Sequence, residues 1–199
     1  QPVGNKSVRK TKPPRLQVSH LGPVASADLE FGDLTVIVGP QATGKSIFLQ
    51  TLKLLVDRDQ IHDTFKHHSM SFNDKASAFM EGYFGRGLSG AWGTKSSLTW
   101  KGKSVDLADY AKPSKSTTRH ERMFYIPAQR VMSLPGGVSQ NFGQFNFGDP
   151  YTLRAFSDAV HDLIQNEFGA KGELFPGPNR LNDTLRKPIQ THLFGGNRL

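Results

Sequence analysis

The chain has 199 residues and no cysteine. Disulfides and thiolate metal sites are therefore excluded, and a reducing cytoplasm is the plain expectation. No apolar run approaches the roughly 18 residues that a spanning helix needs, so no membrane association is expected. The N-terminus is basic but has no apolar stretch behind it, which is not the pattern of a secretory signal. No segment repeats. Acidic residues are the minority, 17 against 25 Lys and Arg, for a formal net charge of +8. A surplus of that sign favours polyanions, whether nucleic acid, nucleotide or an anionic surface.

What is present separates into segments. Residues 1–14 are polar and basic and contain proline, so they read as a flexible leader; Lys6, Arg9, Lys10, Lys12 and Arg15 carry positive charge with no acid among them. The body, 15–199, reads as one α/β unit. Leu16 and Val18, then Ala25, Ala27, Leu29 and Phe31, alternate with polar residues around Gly22-Pro23, the pattern of a hairpin. Leu34-Thr35-Val36-Ile37-Val38 is a continuous apolar and β-branched run, as in a strand covered on both faces. The spacing of Ile47, Leu49, Leu52, Leu55 and Val56 predicts a helix over 45–56. Residues 58–75 are polar, and a short helix is expected over 75–84. Leu98 and Trp100, Lys101-Gly102-Lys103, then Val105 and Leu107 suggest a second hairpin. Met123-Phe124-Tyr125-Ile126 reads as another buried strand, ended by Pro127. In the irregular stretch 133–149, Phe142, Phe145 and Phe147 fit residues that plug a cleft. Leu153, Phe156, Val160, Leu163, Ile164 and Phe168 mark a long helix, ended by Gly169.

The most informative string is Gly39-Pro40-Gln41-Ala42-Thr43-Gly44-Lys45-Ser46, with Ile47 opening the helix behind it. It is a full match to the phosphate-binding P-loop. Glycines let backbone amides approach phosphate oxygens without a Cβ in the way. Successive amides form a nest for an anion, and the N-terminus of the following helix adds about half a positive charge. Lys45 is the residue to reach the β- and γ-phosphates, and the Ser46 hydroxyl is the candidate ligand for Mg²⁺. The buried strand leading in and the apolar-striped helix leading out give the string its proper context. ATP with Mg²⁺ is the expected ligand pair. No Asn-Lys-x-Asp guanine motif occurs.

The stretch 16–56 resembles the start of an ABC-type ATPase head of the SMC/RecF/OLD-like class. In that class two antiparallel strands precede the phosphate-loop strand, and the loop is followed by the helix it caps. Gln41 stands where the family usually has Asn, and Ala42-Thr43 where it usually has Gly-Ser. Phe124-Tyr125-Ile126-Pro127-Ala128-Gln129-Arg130 is similar to a strand-ending element of OLD-like and related AAA-type ATPases, which include DNA-repair and phage-defence proteins. The resemblance implies a mixed sheet around the phosphate-loop helix, with an antiparallel β subdomain built from 15–33 and 90–107. It implies that Gln129 senses the γ-phosphate or Mg²⁺, and that Arg130 contacts phosphate or a neighbouring subunit. It also implies a dimer, or higher oligomer, of heads closing on ATP, coupled to DNA, RNA or an effector protein.

Two expected elements are missing from the string of residues. No apolar strand ends in Asp-Glu, the pair that holds Mg²⁺ and polarises water; Leu54-Leu55-Val56-Asp57 lies on the predicted helix instead. No Leu-Ser-Gly-Gly-type signature occurs either. The expectation is therefore an ATPase whose remaining motifs lie outside these residues. The alternatives are a non-catalytic nucleotide-sensing module and a small-molecule kinase, although a kinase usually begins at the phosphate-loop strand. His62, His67 and His68 lack the spacing of a metal site. Lys95, Lys101, Lys103, Lys112, Lys115 and Arg119 form a basic stretch suited to a solvated edge or a nucleic-acid track.

Overall fold

The computed structural model describes residues 13–72, 75–112, 121–128 and 139–163. It is a mixed α/β fold, with one small antiparallel sheet and three helices among those residues. The strands are β1 (Arg15–Leu21), β2 (Val24–Glu30), β3 (Ser97–Trp100) and β4 (Lys103–Ser104). The helices are α1 (Lys45–His67), α2 (Ala76–Phe84) and α3 (Tyr151–Leu163). The chain divides into two compact units. One holds the described residues up to Tyr125 together with Phe147–Tyr151; the other holds those of Ile126–Asn146 and from Thr152 onward.

In the first unit the sheet has the order β2-β1-β3-β4. The expected hairpin forms, with Leu16 opposite Leu29 and Leu21 opposite Val24. The other edge of β1 pairs with β3, Val18 opposite Leu98, so the segments 15–33 and 90–107 do share one antiparallel sheet. Leu16, Val18, Leu21, Val24 and Leu98 are all buried. On the outer side Arg15 forks onto Asp28 at 2.7 and 2.5 Å, and with Gln17 it holds that carboxyl down to about 2. Beyond β4 the chain does not continue as a strand. Leu107–Ala111 winds into a 3₁₀ turn, opened by Asp106, whose carboxylate accepts the amide of Ala108 at 2.9 Å.

Helix α1 is longer than its apolar stripe predicts, running to His67 rather than Val56. The charged run Asp57-Arg58-Asp59 hides the continuation, yet Ile61 and Phe65 resume the buried face one helical turn apart. The helix kinks at Asp57, where φ is −123° and ψ is 30°. Its cause is visible. The guanidinium of Arg122 donates to the Val56 carbonyl, which a regular helix would offer to Gln60. Around Phe65 lies an aromatic cluster of Phe72, Phe79 and Tyr151, with ring centroids 4.8–6.1 Å away. His62 is no metal ligand here: it stacks on Phe79 at 5.0 Å and bonds the Tyr110 carbonyl at 2.7 Å. No cluster of three metal-ligating side chains occurs among the described residues.

Two expected strands are overturned. Residues 34–38 form no strand among the described residues, and Leu34, Val36 and Val38 are 85%, 72% and 84% exposed. Residues 123–126 likewise form no strand among the described residues, and Phe124 is 57% exposed. A strand buried on both faces needs a neighbour on each edge and a layer on each side. Here the described sheet is antiparallel and is built from other segments. The mixed sheet expected around α1 is thus not present among the described residues.

In the second unit, helix α3 pins the preceding turn. Ser157 accepts the amide of Gln140 at 2.8 Å and donates to its carbonyl at 2.9 Å, while Asp158 accepts the amide of Phe142 at 2.8 Å. The buried guanidinium of Arg154 lies 5.1 Å from the Phe142 ring, which does plug the interior. The predicted end of α3 near Gly169, the leader residues 1–12, and Lys115 and Arg119 lie outside the described residues. No described helix is long and apolar enough to cross a membrane.

A buried ion pair ties 121–123 to α1. Lys53 and Asp57, with side chains 2% and 0% exposed, meet at 2.8 Å. Asp57 also accepts the amides of Arg122 and Met123, each at 2.9 Å, and Lys53 donates to Glu121 and to the Met123 carbonyl, each at 2.5 Å. Removing one partner strands the other in the interior. Asp57→Ala should lose about 3–5 kcal/mol of unfolding free energy in urea titrations, and Lys53→Met/Asp57→Leu should lose less.

Candidate phosphate-binding site

Gly39 to Ser46 forms a compact loop capping α1. Its left-handed positions alternate: Ala42 has φ 62°, and Gly44 has φ 85° with ψ 11°. Left-handed positions of this kind occur in anion-binding nests. The amides of Ala42, Thr43, Gly44, Lys45 and Ser46 donate to no backbone carbonyl among the described residues. The first bond of the helix runs from the Phe48 amide to the Gly44 carbonyl at 2.9 Å. No acidic side chain stands in the first turn of α1, so its positive end is uncompensated.

Lys45 folds back over the loop. Its ammonium donates to the carbonyls of Gly39, at 2.8 Å, and Pro40, and to the Thr43 hydroxyl at 3.3 Å. Thr43 in turn donates to the Pro40 carbonyl at 2.9 Å. These three bonds hold the cation on the loop, and among the described residues no carboxylate pairs with it.

The glycines have separate reasons. A Cβ on Gly44 would lie 2.5 Å from Cγ2 of Val24 and 3.2 Å from Cγ of Pro23. The turn of the β1–β2 hairpin thus presses directly on the loop. At Gly39 a Cβ would line the cradle, 3.7 Å from the Thr43 hydroxyl and 4.0 Å from Cδ of Lys45. These residues fit a polyphosphate: amides without partners, a cation, and a glycine-lined approach. Ser46 is exposed in the first turn of α1, next to Lys45, as a cation ligand would need to be.

Tyr125 stands in the element 124–130, whose resemblance gave it no role of its own. Tyr125 is partly buried, which pushes its phenol pKa up, and a hydrogen bond with the Ser46 hydroxyl opposes that shift. Asp57, set aside in the sequence as lying on the wrong element, is indeed on α1, where it holds the segment that carries Tyr125. Gln129 and Arg130 lie outside the described residues. Lys95, Lys101, Lys103 and Lys112 are exposed, and Lys101 lies 5.1 Å from the Trp100 ring.

Comparison with protein-family models, with curated proteins and with solved structures finds no match to this chain. The site's chemistry therefore rests on its own residues.

Gly44→Ala should cost about 2–4 kcal/mol, from the left-handed backbone and the collision with Val24 together. Ala42→Gly should be neutral or stabilising by up to about 1 kcal/mol, because it relieves a left-handed Cβ. Chemical denaturation of both variants checks the pair; equal losses would contradict the loop geometry.

Proposed function

We propose that this chain is the nucleotide-binding part of a P-loop ATPase with an ABC-head arrangement, taking ATP with Mg²⁺. The observation that carries the proposal is the Lys45 ammonium lying across a loop whose amides have no backbone partner. Such a loop is a cation and a ring of donors awaiting an anion. In this mechanism Lys45 gives up the Gly39 and Pro40 carbonyls and donates to the β- and γ-phosphates. Amides 42–46 and the positive end of α1 hold the same phosphates. Ser46 offers its hydroxyl oxygen to the metal. Mg²⁺, held there by Ser46, would supply charge neutralisation for the phosphates. As an enzyme the chain would hydrolyse ATP as a dimerisation switch, in a cytoplasmic setting such as DNA repair or phage defence. That part rests on the resemblance of residues 16–56 and 124–130 alone.

A second reading is favoured by a specific feature of the sequence. No apolar strand ending in Asp-Glu is present, so the chain carries no evident group to polarise water. It would then act as a nucleotide-sensing module without turnover.

Calorimetry with Mg²⁺-ATP tests the shared core of both. The wild-type chain should release heat, and Lys45→Ala should weaken binding by about 10–100-fold, the worth of a charge-assisted contact. No heat with the wild type would refute the proposal. Measured ATP turnover separates the switch from the module: equal, negligible turnover in wild type and Lys45→Ala selects the module.

A further inference from the structure

We propose that His62 makes the docking of the 3₁₀ turn Leu107–Ala111 on α1 sensitive to acid: as a neutral imidazole it holds the turn, and as an imidazolium it lets go. The proposal does not depend on the nucleotide reading.

Two side chains of α1, one helical turn apart, grip the far end of that turn. Arg58 donates to the Lys112 carbonyl, at 3.2 Å from Nε and 2.7 Å from Nη2, and to the Asp109 carbonyl. Its guanidinium lies 4.5 Å over the Tyr110 ring. His62 Nε2 stands 2.7 Å from the Tyr110 carbonyl oxygen. A carbonyl only accepts, so Nε2 carries the proton and donates it. The imidazole stacks on Phe79 of α2 at 5.0 Å, nearly parallel at 11°. The near end of the turn is held otherwise: the Asp106 carboxylate accepts from Trp92 Nε1 at 2.8 Å and from the Ala108 amide at 2.9 Å.

A second proton on His62 goes to Nδ1 and makes the ring a cation. On α1, Arg58 opposes that charge, while Asp59 and Asp63 favour it. From α2 the ring meets Phe79, which carries no charge. From the turn it meets the Tyr110 backbone, and Asp109 and Lys112 offer their carbonyls to Arg58. Burial is the largest effect; it outweighs the Tyr110 hydrogen bond and holds the imidazole below its ordinary 6.5. An undocked His62 therefore binds a proton that the docked one refuses. The sign follows: docking is at full strength above 6.5 and is lost as pH falls below it. The charged ring recovers its hydration by leaving the Tyr110 carbonyl, and Arg58 alone is left on residues 109–112.

The test is hydrogen exchange of the full chain, read by mass spectrometry at about pH 7.5 and about pH 5, the span over which histidine titrates, and corrected for intrinsic exchange. Protection of residues 106–112 should fall by about 3–10-fold at the lower pH, while that of β1 stays constant. His62→Gln keeps a side-chain N–H donor and cannot titrate, so its protection should not change between the two conditions. Constant protection in the wild type, an equal fall in His62→Gln, or a parallel fall in β1 overturns the proposal. Should His62→Gln not fold, NMR titration of the wild-type imidazole decides: a midpoint below 6.5 that coincides with the loss of protection supports it, and any other midpoint overturns it.

Discussion

Asp57 is the constraint on which much of the first unit turns. A carboxylate with no exposure must have every oxygen satisfied, and this one takes an ammonium and two amides. Those bonds accomplish three things at once. They neutralise a charge inside the fold. They bring a segment 65 residues further along the chain against α1. They also accompany the break in the helix, because Arg122, carried in by the same bonds, takes the Val56 carbonyl out of the ladder. Replacing the carboxylate would therefore disturb a helix, an ion pair and a tertiary docking together.

The loop at the head of α1 is built on a different rule, the absence of side-chain atoms. Val24 and Pro23 press where a Cβ of Gly44 would stand. The hairpin thus sets the position of the loop, and the loop sets the direction of the helix axis. Between the two, Lys45 donates to the Gly39 and Pro40 carbonyls and keeps a positive charge on the loop. Sheet, loop and helix form one connected support for that charge, which is what a binding site needs to be ready before a ligand arrives.

Local patterns in the sequence carried much of this. Alternation found the first hairpin, and helical spacing found the first half of α1. The string 39–46 marked a loop with left-handed positions, as observed at Ala42 and Gly44. The joining of 15–33 and 90–107 into one sheet was reached through a family resemblance rather than through spacing, and the pairing of β1 with β3 agrees with it. What escaped was non-local. The charges at 57–59 masked the second half of α1, because charged groups that bond to backbone far along the chain look like a solvated face until the fold is known. Tyr125 lay in the quoted element 124–130, but nothing in the sequence tied it to Ser46, 79 positions away. The β-branched run at 34–38 promised cover on both faces, and composition cannot say where such cover comes from.

That run has a consequence for how the chain behaves in solution. Leu34, Val36 and Val38 are exposed on backbone that belongs to no described strand, an apolar patch that another molecule can cover. Opposing association is the formal charge of +8, which makes copies repel. The two act over different ranges. Repulsion between surface charges fades beyond about 8 Å in physiological salt, whereas burying apolar area is little weakened by it. Colloidal behaviour is then governed by ionic strength: dilute buffer keeps the molecules apart, and added electrolyte hands control to the greasy edge.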